Sequence, residues 1–123
     1  MTGYVANIER ETIDNENFRK VLYTAPNSQL VVMSLQPGEE IGEETHNLDQ
    51  FIRFESGEGK VVLNGDEYKV RDNYAIVIPA GTKRNVINIS LEKKLKLYTI
   101  YSPPEHKEGT IHKTKEEAEA EGD

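Results

Sequence analysis

Residues 37 to 59 read PGEEIGEETHNLDQFIRFESGEG, and this stretch is the most informative part of the chain. If the stretch is extended, alternate side chains leave the same face of the backbone, so Glu44, His46 and Gln50 share one surface. The apolar side chain of Phe54 continues the same parity. The sequence therefore predicts a polar cluster beside an apolar patch on the inner face of a sheet.

A second polar group is predicted downstream, where residues 77 to 82 read VIPAGT. This is a short apolar run that ends in proline and glycine, the residues that favour a turn. The following run, KRNVIN at residues 83 to 88, has the alternation of a strand. In that strand Arg84 and Asn88 share one face, so we expect the Arg84 side chain to point inward.

The rest of the chain predicts an all-β protein. Short runs rich in Val, Ile, Leu, Phe and Tyr are separated by clusters of Gly, Pro, Asn and Asp, with the spacing of a sandwich or barrel. Asn64-Gly65 between two of these runs indicates a hairpin, because a type I′ turn needs positive φ at both central residues. The predicted strands are Phe18 to Thr24, Gln29 to Leu35, Gln50 to Glu55, Gly59 to Leu63, Glu67 to Val70, Ala75 to Ile78, Arg84 to Ile89 and Lys94 to Tyr101.

The two polar stretches resemble the two sequence motifs of the cupin superfamily. The first motif has a glycine, a metal ligand, a histidine, a carboxylate or amide and a second glycine, and it is matched by Gly38, Glu44, His46, Gln50 and Gly57. The second motif is matched by Asn73, Pro79, Gly81, Arg84 and Asn88, with its glycine and its histidine both replaced. The resemblance implies a double-stranded β-helix, the cupin jelly roll of two antiparallel sheets.

This resemblance predicts one cupin domain over residues 1 to 112, with the core motifs at residues 37 to 90. Residues 113 to 123 consist almost wholly of Lys, Glu, Ala and Gly. They contain no large apolar side chain to dock on the domain, so we expect a short frayed helix or a disordered tail. The amino-terminal residues 1 to 17 show little periodicity, and those from Thr12 onward have the composition of a turn.

The resemblance also implies a metal site, because cupins usually hold Fe, Mn, Ni or Zn with three histidines and a glutamate. Here Glu44, Gln50 and Arg84 stand at three of those four positions. A guanidinium has no lone pair to offer, and it repels a cation. We therefore expect a degenerate metal site and no certain cofactor. A divalent transition metal (Mn, Fe, Ni or Zn) held by Glu44, His46 and Gln50 is the alternative.

For the function, we expect a small polar ligand, anionic or sugar-like, bound inside the barrel by Arg84, Glu44, His46 and Gln50. Without a metal, Glu44 and Arg84 are expected to form a direct ion pair. The alternative is a metal-dependent sugar isomerase, epimerase or dioxygenase that uses Glu44, His46 and Gln50. A third possibility is a scaffold or regulatory partner with a degenerate site. No catalytic residue is identified, so the sequence leaves open whether the protein is an enzyme.

Composition limits the partners. The chain has 123 residues, no cysteine and a formal net charge of -7 at pH 7. The negative charge argues against nucleic acid and anionic membranes as partners. The absence of cysteine excludes a disulfide, a Cys zinc site and a thiolate nucleophile. No apolar run approaches the roughly 20 residues that span a bilayer, and no signal pattern is present, so a cytoplasmic protein is expected.

Two expectations concern the surface. Phe51, Ile87 and Ile89 have outward parity, and apolar residues on the outer face of a sheet suggest a covering partner. We therefore expect a homodimer. His106 and His112 follow the break at Pro103-Pro104 and are expected to lie on the surface, away from the site.

Overall fold

The computed structural model describes residues 2 to 122, which form two antiparallel sheets packed face to face. The strands are β1 (Arg19–Thr24), β2 (Gln29–Leu35), β3 (Glu44–Thr45), β4 (Asp49–Ser56), β5 (Glu58–Leu63), β6 (Asp66–Arg71), β7 (Ala75–Ile78), β8 (Lys83–Asn88), β9 (Leu95–Ser102) and β10 (Ile111–His112). The larger sheet has the order β10-β1-β2-β9-β4-β7, and the smaller has the order β3-β8-β5-β6. The predicted all-β jelly roll is confirmed.

The tightest turn lies where the sequence predicts it. Asn64 and Gly65 join β5 to β6, and Leu63 and Asp66 are Cα partners on either side. Asn64 has φ of 50° and Gly65 has φ of 90°, so both central residues are in the left-handed region that a type I′ turn requires. This hairpin fixes the register of the outer edge of the smaller sheet.

The core lies between the two sheets and is built by alternate residues of each strand. On β4, Ile52 and Phe54 are fully buried, and Gln50 continues their inward parity. On β8, Arg84, Val86 and Asn88 share the inward face and are buried in the same way. The middle of the barrel is thus apolar, Arg84 and Gln50 are inward at one end, and Asn88 is inward at the opposite end of β8.

The amino-terminal region contains a helix that the sequence analysis did not predict, α1 (Ile8–Asp14). The Asn7 side chain caps it by accepting a hydrogen bond from the backbone N–H of Arg10 at 3.1 Å. The helix packs on β2, β4 and β9, and its residue Thr12 is fully buried. The composition of residues 12 to 17 suggested a turn because it contains cap-forming residues, but Thr12 and Ile13 belong to the helix.

The carboxyl-terminal region ends in a second short helix, α2 (Lys115–Ala120), whose N-cap is Thr114. Ala118 is fully buried against the domain, so this part of the expected frayed or disordered tail has a defined contact. Met1 and Asp123 lie outside the described residues. Within residues 2 to 122, neither helix has the length and apolar character needed to cross a bilayer.

The outer face of the larger sheet carries one apolar row. Leu30, Ile100, Phe51 and Val77 are successive Cα partners across β2, β9, β4 and β7. Val77 is 70% exposed, and the other three are partly exposed. Ile87, which the sequence analysis grouped with Phe51, lies in β8 of the smaller sheet, so these two residues do not share one surface.

Candidate functional site

The four residues expected at the site line one small cavity. Glu44 lies on β3 opposite Arg84 on β8, where the two are Cα partners, while Gln50 enters from β4 and His46 follows β3. The buried ring of Tyr101 forms part of the same wall. The cavity has a volume of about 20 Å³, which is room for a single water molecule.

Arg84 is held by a buried hydrogen-bond chain across the two sheets. Its Nη1 donates to Gln50 Oε1 at 2.7 Å, and Gln50 Nε2 donates to Thr99 Oγ1 at 3.0 Å. The Nε of Arg84 also donates to the backbone carbonyl of Thr82 at 3.2 Å. Arg84 and Gln50 are each 5% exposed, so the guanidinium is fixed in a largely dry environment. Because Gln50 orients it, Arg84 presents a preorganised positive charge to the cavity.

His46 is held between two carboxylates. Its Nε2 lies 3.2 Å from Glu44 Oε2, and its Nδ1 lies 2.5 Å from Glu105 Oε2. The hydrogen bond to Glu44 raises the pKa of His46, burial opposes this, and the charge of Glu105 adds to the increase. Two carboxylate acceptors suit the doubly protonated imidazolium, which has two N–H donors. The direct Glu44–Arg84 ion pair expected from the sequence does not form in the described part of the chain, because Glu44 pairs with His46.

The Glu44 carboxylate is ionised in this arrangement. Burial raises its pKa, but the hydrogen bond and the charge of His46, together with the charge of Arg19, more than offset burial and leave the pKa of Glu44 below its ordinary value. The carboxylates of Glu44 and Glu105 therefore face His46 from two sides, and the cationic side chain of Arg84 lines the same cavity as Glu44 and His46.

The segment that carries Glu105 is fastened by a residue far away in sequence. Gln29 is 1% exposed, and its Oε1 accepts hydrogen bonds from the backbone N–H groups of Glu105 at 3.1 Å and His106 at 2.9 Å. Its Nε2 donates to the carbonyl of His106 at 2.7 Å. Gln29 therefore fixes the backbone on which Glu105 is placed at the mouth of the barrel.

The prediction that His106 and His112 lie on the surface is wrong for both residues. The His106 ring is partly buried and meets Tyr101 edge-on, with ring centroids 5.3 Å apart. His112 is 1% exposed, because β10 pairs with β1 and turns the imidazole inward, where Nδ1 lies 3.2 Å from Arg19 Nη1. Burial raises the pKa of Tyr101 to about 12, so its hydroxyl stays protonated beside the site.

The arrangement does not fit a bound transition metal. Arg84 donates a hydrogen bond to Gln50 Oε1, the oxygen that was expected to be a metal ligand. Both ring nitrogens of His46 face carboxylates. Within residues 2 to 122, no three His, Cys, Asp or Glu side chains form a group that could hold a metal ion. A divalent ion here would also have to approach the fixed charge of Arg84. The side chains are arranged as alternating positive and negative charges, which pair with one another.

Comparison with known proteins identifies the family. Residues 31 to 101 match the model of the cupin domain, which covers more than half of the chain. The protein belongs to the cupin family. This cupin is 47% identical over 124 residues to YrkC of Bacillus subtilis strain 168, an alignment that covers 95% of this chain and 66% of YrkC. The chain thus spans just under two thirds of the length of that relative.

Solved structures share this fold. The crystal structure of BH2720 from Bacillus halodurans is 48% identical to this cupin, with a TM-score of 0.94 and coverage of 97% of this chain and 95% of BH2720. KdgF from Halomonas sp. is 23% identical, with a TM-score of 0.65 and coverage of 71% of this chain and 78% of KdgF. At that identity KdgF supports the shared fold alone.

Proposed function

We propose that this cupin binds a small polar ligand, anionic in character, at the mouth of its barrel through His46 and Arg84. The observation that carries the proposal is the placement of two cationic side chains on one cavity, with Arg84 buried and fixed by Gln50. Fixed, poorly hydrated N–H donors are the groups that proteins use to hold a carboxylate or phosphate.

The size of the site favours an anion over a sugar. The cavity of about 20 Å³ holds one water molecule, so a sugar ring does not fit behind His46 without moving several core side chains. A carboxylate at the mouth needs only to reach the outer nitrogen of His46 and a guanidinium N–H. In this account Glu44 keeps His46 protonated, and Gln50 aims Arg84.

The proposal is tested by titrating the purified protein with acetate, inorganic phosphate and glucose, with backbone and imidazole NMR signals as the readout. We expect saturable shifts at His46 with the anions and none with glucose. Arg84→Met should weaken anion binding by about tenfold or more, which corresponds to one charged hydrogen bond. Arg71→Met removes an exposed arginine on β6 and is the matched control, with unchanged binding expected. Equal binding by both variants would contradict the proposal.

We also propose that the metal site of this cupin is degenerate. The alternative is a metal-dependent isomerase, epimerase or dioxygenase. The support for a degenerate site is the hydrogen bond from Arg84 to the Gln50 oxygen, which removes one of the three candidate ligands. Metal content by mass spectrometry, and the melting temperature with Mn, Fe, Ni or Zn added singly, test it. One equivalent of metal that is lost in His46→Ala would overturn the proposal and direct the work to metal-dependent enzyme assays.

We also propose that the protein is a homodimer that acts in the cytoplasm. The dimer is supported by the apolar row on the outer face of the larger sheet, of which Val77 is the most exposed member. Light scattering should give twice the monomer mass for the wild type and the monomer mass for Val77→Lys. Leu91→Lys, at a loop residue that is 86% exposed, is the control and should remain dimeric. A monomeric wild type would refute the dimer.

A further inference from the structure

We infer that the Glu105 carboxylate occupies the position of a ligand carboxylate, so that a ligand of this class binds to His46 by displacing the Glu105 side chain. The inference rests on the proposed function and makes it more specific: the ligand carries a carboxylate, and the protein holds an internal competitor for it. Glu105 belongs to neither of the two sequence motifs that marked the site.

The contact between Glu105 and His46 has the geometry of a bound carboxylate. Glu105 Oε2 lies 2.5 Å from His46 Nδ1, on the side of the ring opposite Glu44. The Glu105 side chain is 26% exposed, whereas Arg84 is 5% exposed. Glu105 is therefore in contact with both solvent and His46, so a dissolved anion can reach the position that its carboxylate occupies.

Charge balance explains why Glu105 competes with an anion. When Glu105 contacts His46, three carboxylates (Glu44, Glu105 and Asp49) compensate the positive charges of His46, Arg84 and the nearby Arg19. Burial lowers the pKa of Arg84, and the charge of Glu105 is one of those that oppose this lowering. Moving the Glu105 side chain into solvent removes one of the three carboxylates that face these cations, and a ligand carboxylate replaces it.

The backbone can stay in place while the Glu105 side chain moves. Gln29 holds the N–H groups of Glu105 and His106 and the carbonyl of His106, and none of these bonds involves the Glu105 carboxylate. A rotation about the side-chain bonds of Glu105 therefore opens the site without unfolding the segment. Rotamer changes of partly exposed side chains are fast, so they do not limit ligand entry.

Acetate is the probe that matches the group removed by truncation. Glu105→Ala removes the Cγ methylene and the carboxylate, and acetate returns a methyl-bound carboxylate that is not tethered to the backbone. Only the open fraction of the wild type is competent to bind, so its apparent affinity is reduced by that fraction. We expect Glu105→Ala to bind acetate about tenfold or more tightly than the wild type does. Glu108→Ala, in the same exposed segment, is the matched control and should bind like the wild type.

The experiment measures acetate and inorganic phosphate affinities for the wild type, Glu105→Ala and Glu108→Ala by NMR, with His46 ring signals as the readout. Adding His46→Ala to Glu105→Ala should abolish the gain in affinity, which places acetate at this ring. Equal acetate affinities for the wild type and Glu105→Ala would overturn the inference and leave the proposed function standing. An equal gain for phosphate would overturn its restriction to carboxylates. If no variant binds either anion, the proposed function itself fails.

Discussion

The hydrogen bond between Arg84 and Gln50 offers the sharpest test of how the site is built. The perturbation is Gln50→Leu, which removes the acceptor 2.7 Å from Arg84 Nη1 and the donor 3.0 Å from Thr99 Oγ1 while keeping an apolar side chain of similar size. A hydrogen bond to a charged group contributes about 1.5–3 kcal/mol and a neutral one about 1 kcal/mol, partly offset by the added apolar burial. We expect Gln50→Leu to lower the free energy of unfolding by about 2–4 kcal/mol.

A double-mutant cycle separates this bond from the general effect of a core substitution. Urea unfolding of Gln50→Leu, Arg84→Met and the double variant should give a coupling energy of about 1.5–3 kcal/mol, because Arg84→Met removes the Nη1 donor that Gln50→Leu leaves without its acceptor. The exposed bond from Arg53 Nη2 to Asn73 Oδ1, at 3.0 Å, is the matched control. Its cycle should give a coupling below about 0.5 kcal/mol. Additive losses for Gln50 and Arg84 within about 0.5 kcal/mol would refute the reasoning.

Three further predictions concern His46, Asn88 and Gly57. The pKa of His46 is raised above its ordinary value of 6.5 in the folded protein, so protonated His46 stabilises the fold. This contribution to the free energy of unfolding is complete below pH 6.5 and is lost as pH rises through the folded-state pKa. The stability difference between wild type and His46→Asn in urea should therefore shrink from pH 6 to pH 9, and a difference that grows would be inconsistent with it. Asn88 is 1% exposed, and its side chain donates to three backbone carbonyls and accepts from one backbone N–H. Asn88→Ala should lower the free energy of unfolding in urea by about 2–4 kcal/mol, and a loss under about 1 kcal/mol would argue against this network. Gly57 has φ of 114°, and a Cβ there would lie 2.7 Å from the carbonyl oxygen of Lys94. Gly57→Ala should therefore lower the melting temperature by several degrees. An unchanged melting temperature would mean that the backbone relaxes freely.

The fold could be predicted from the sequence because its signals are local. The Asn64-Gly65 turn and the alternation of apolar residues along single strands each depend on neighbouring residues only. The same parity argument placed Glu44 and Arg84 on the inner face, and the structure brings them opposite one another on β3 and β8. Parity gives the face of a sheet on which a side chain lies, but it does not give the hydrogen-bond partner.

The partners at the site could not be predicted because they come from distant parts of the chain. Gln29 accepts hydrogen bonds from the backbone of Glu105 and His106, which lie 76 and 77 positions further along the chain. Glu105 in turn reaches His46 from a segment without strand periodicity. His112 was expected on the surface because Pro103 and Pro104 precede it, yet the short strand β10 returns it to the sheet. A polar segment that folds back over a barrel mouth has no pattern of its own in a single sequence.

The helix α1 was missed for a different reason. Its seven residues are too few to show a clear helical period, and an isolated helix of this length is not stable in water. It forms because strands β2, β4 and β9 of the larger sheet supply the contacts, and its residue Thr12 is buried. The Lys96 ammonium, which donates to the carbonyl of Asn15, then fixes the residue at which the helix ends.

The central claim is that His46 and Arg84 form a site for a small anion in which His46 is protonated. The most direct measurement is the set of ring ¹⁵N signals of His46 in the wild type during an acetate titration at about pH 6.5, with Arg84→Met beside it. The account predicts that both ring nitrogens are protonated in more than half of the molecules, and that acetate shifts them saturably in the wild type and much less in Arg84→Met. A mainly neutral ring, or signals that do not respond to acetate, would contradict it.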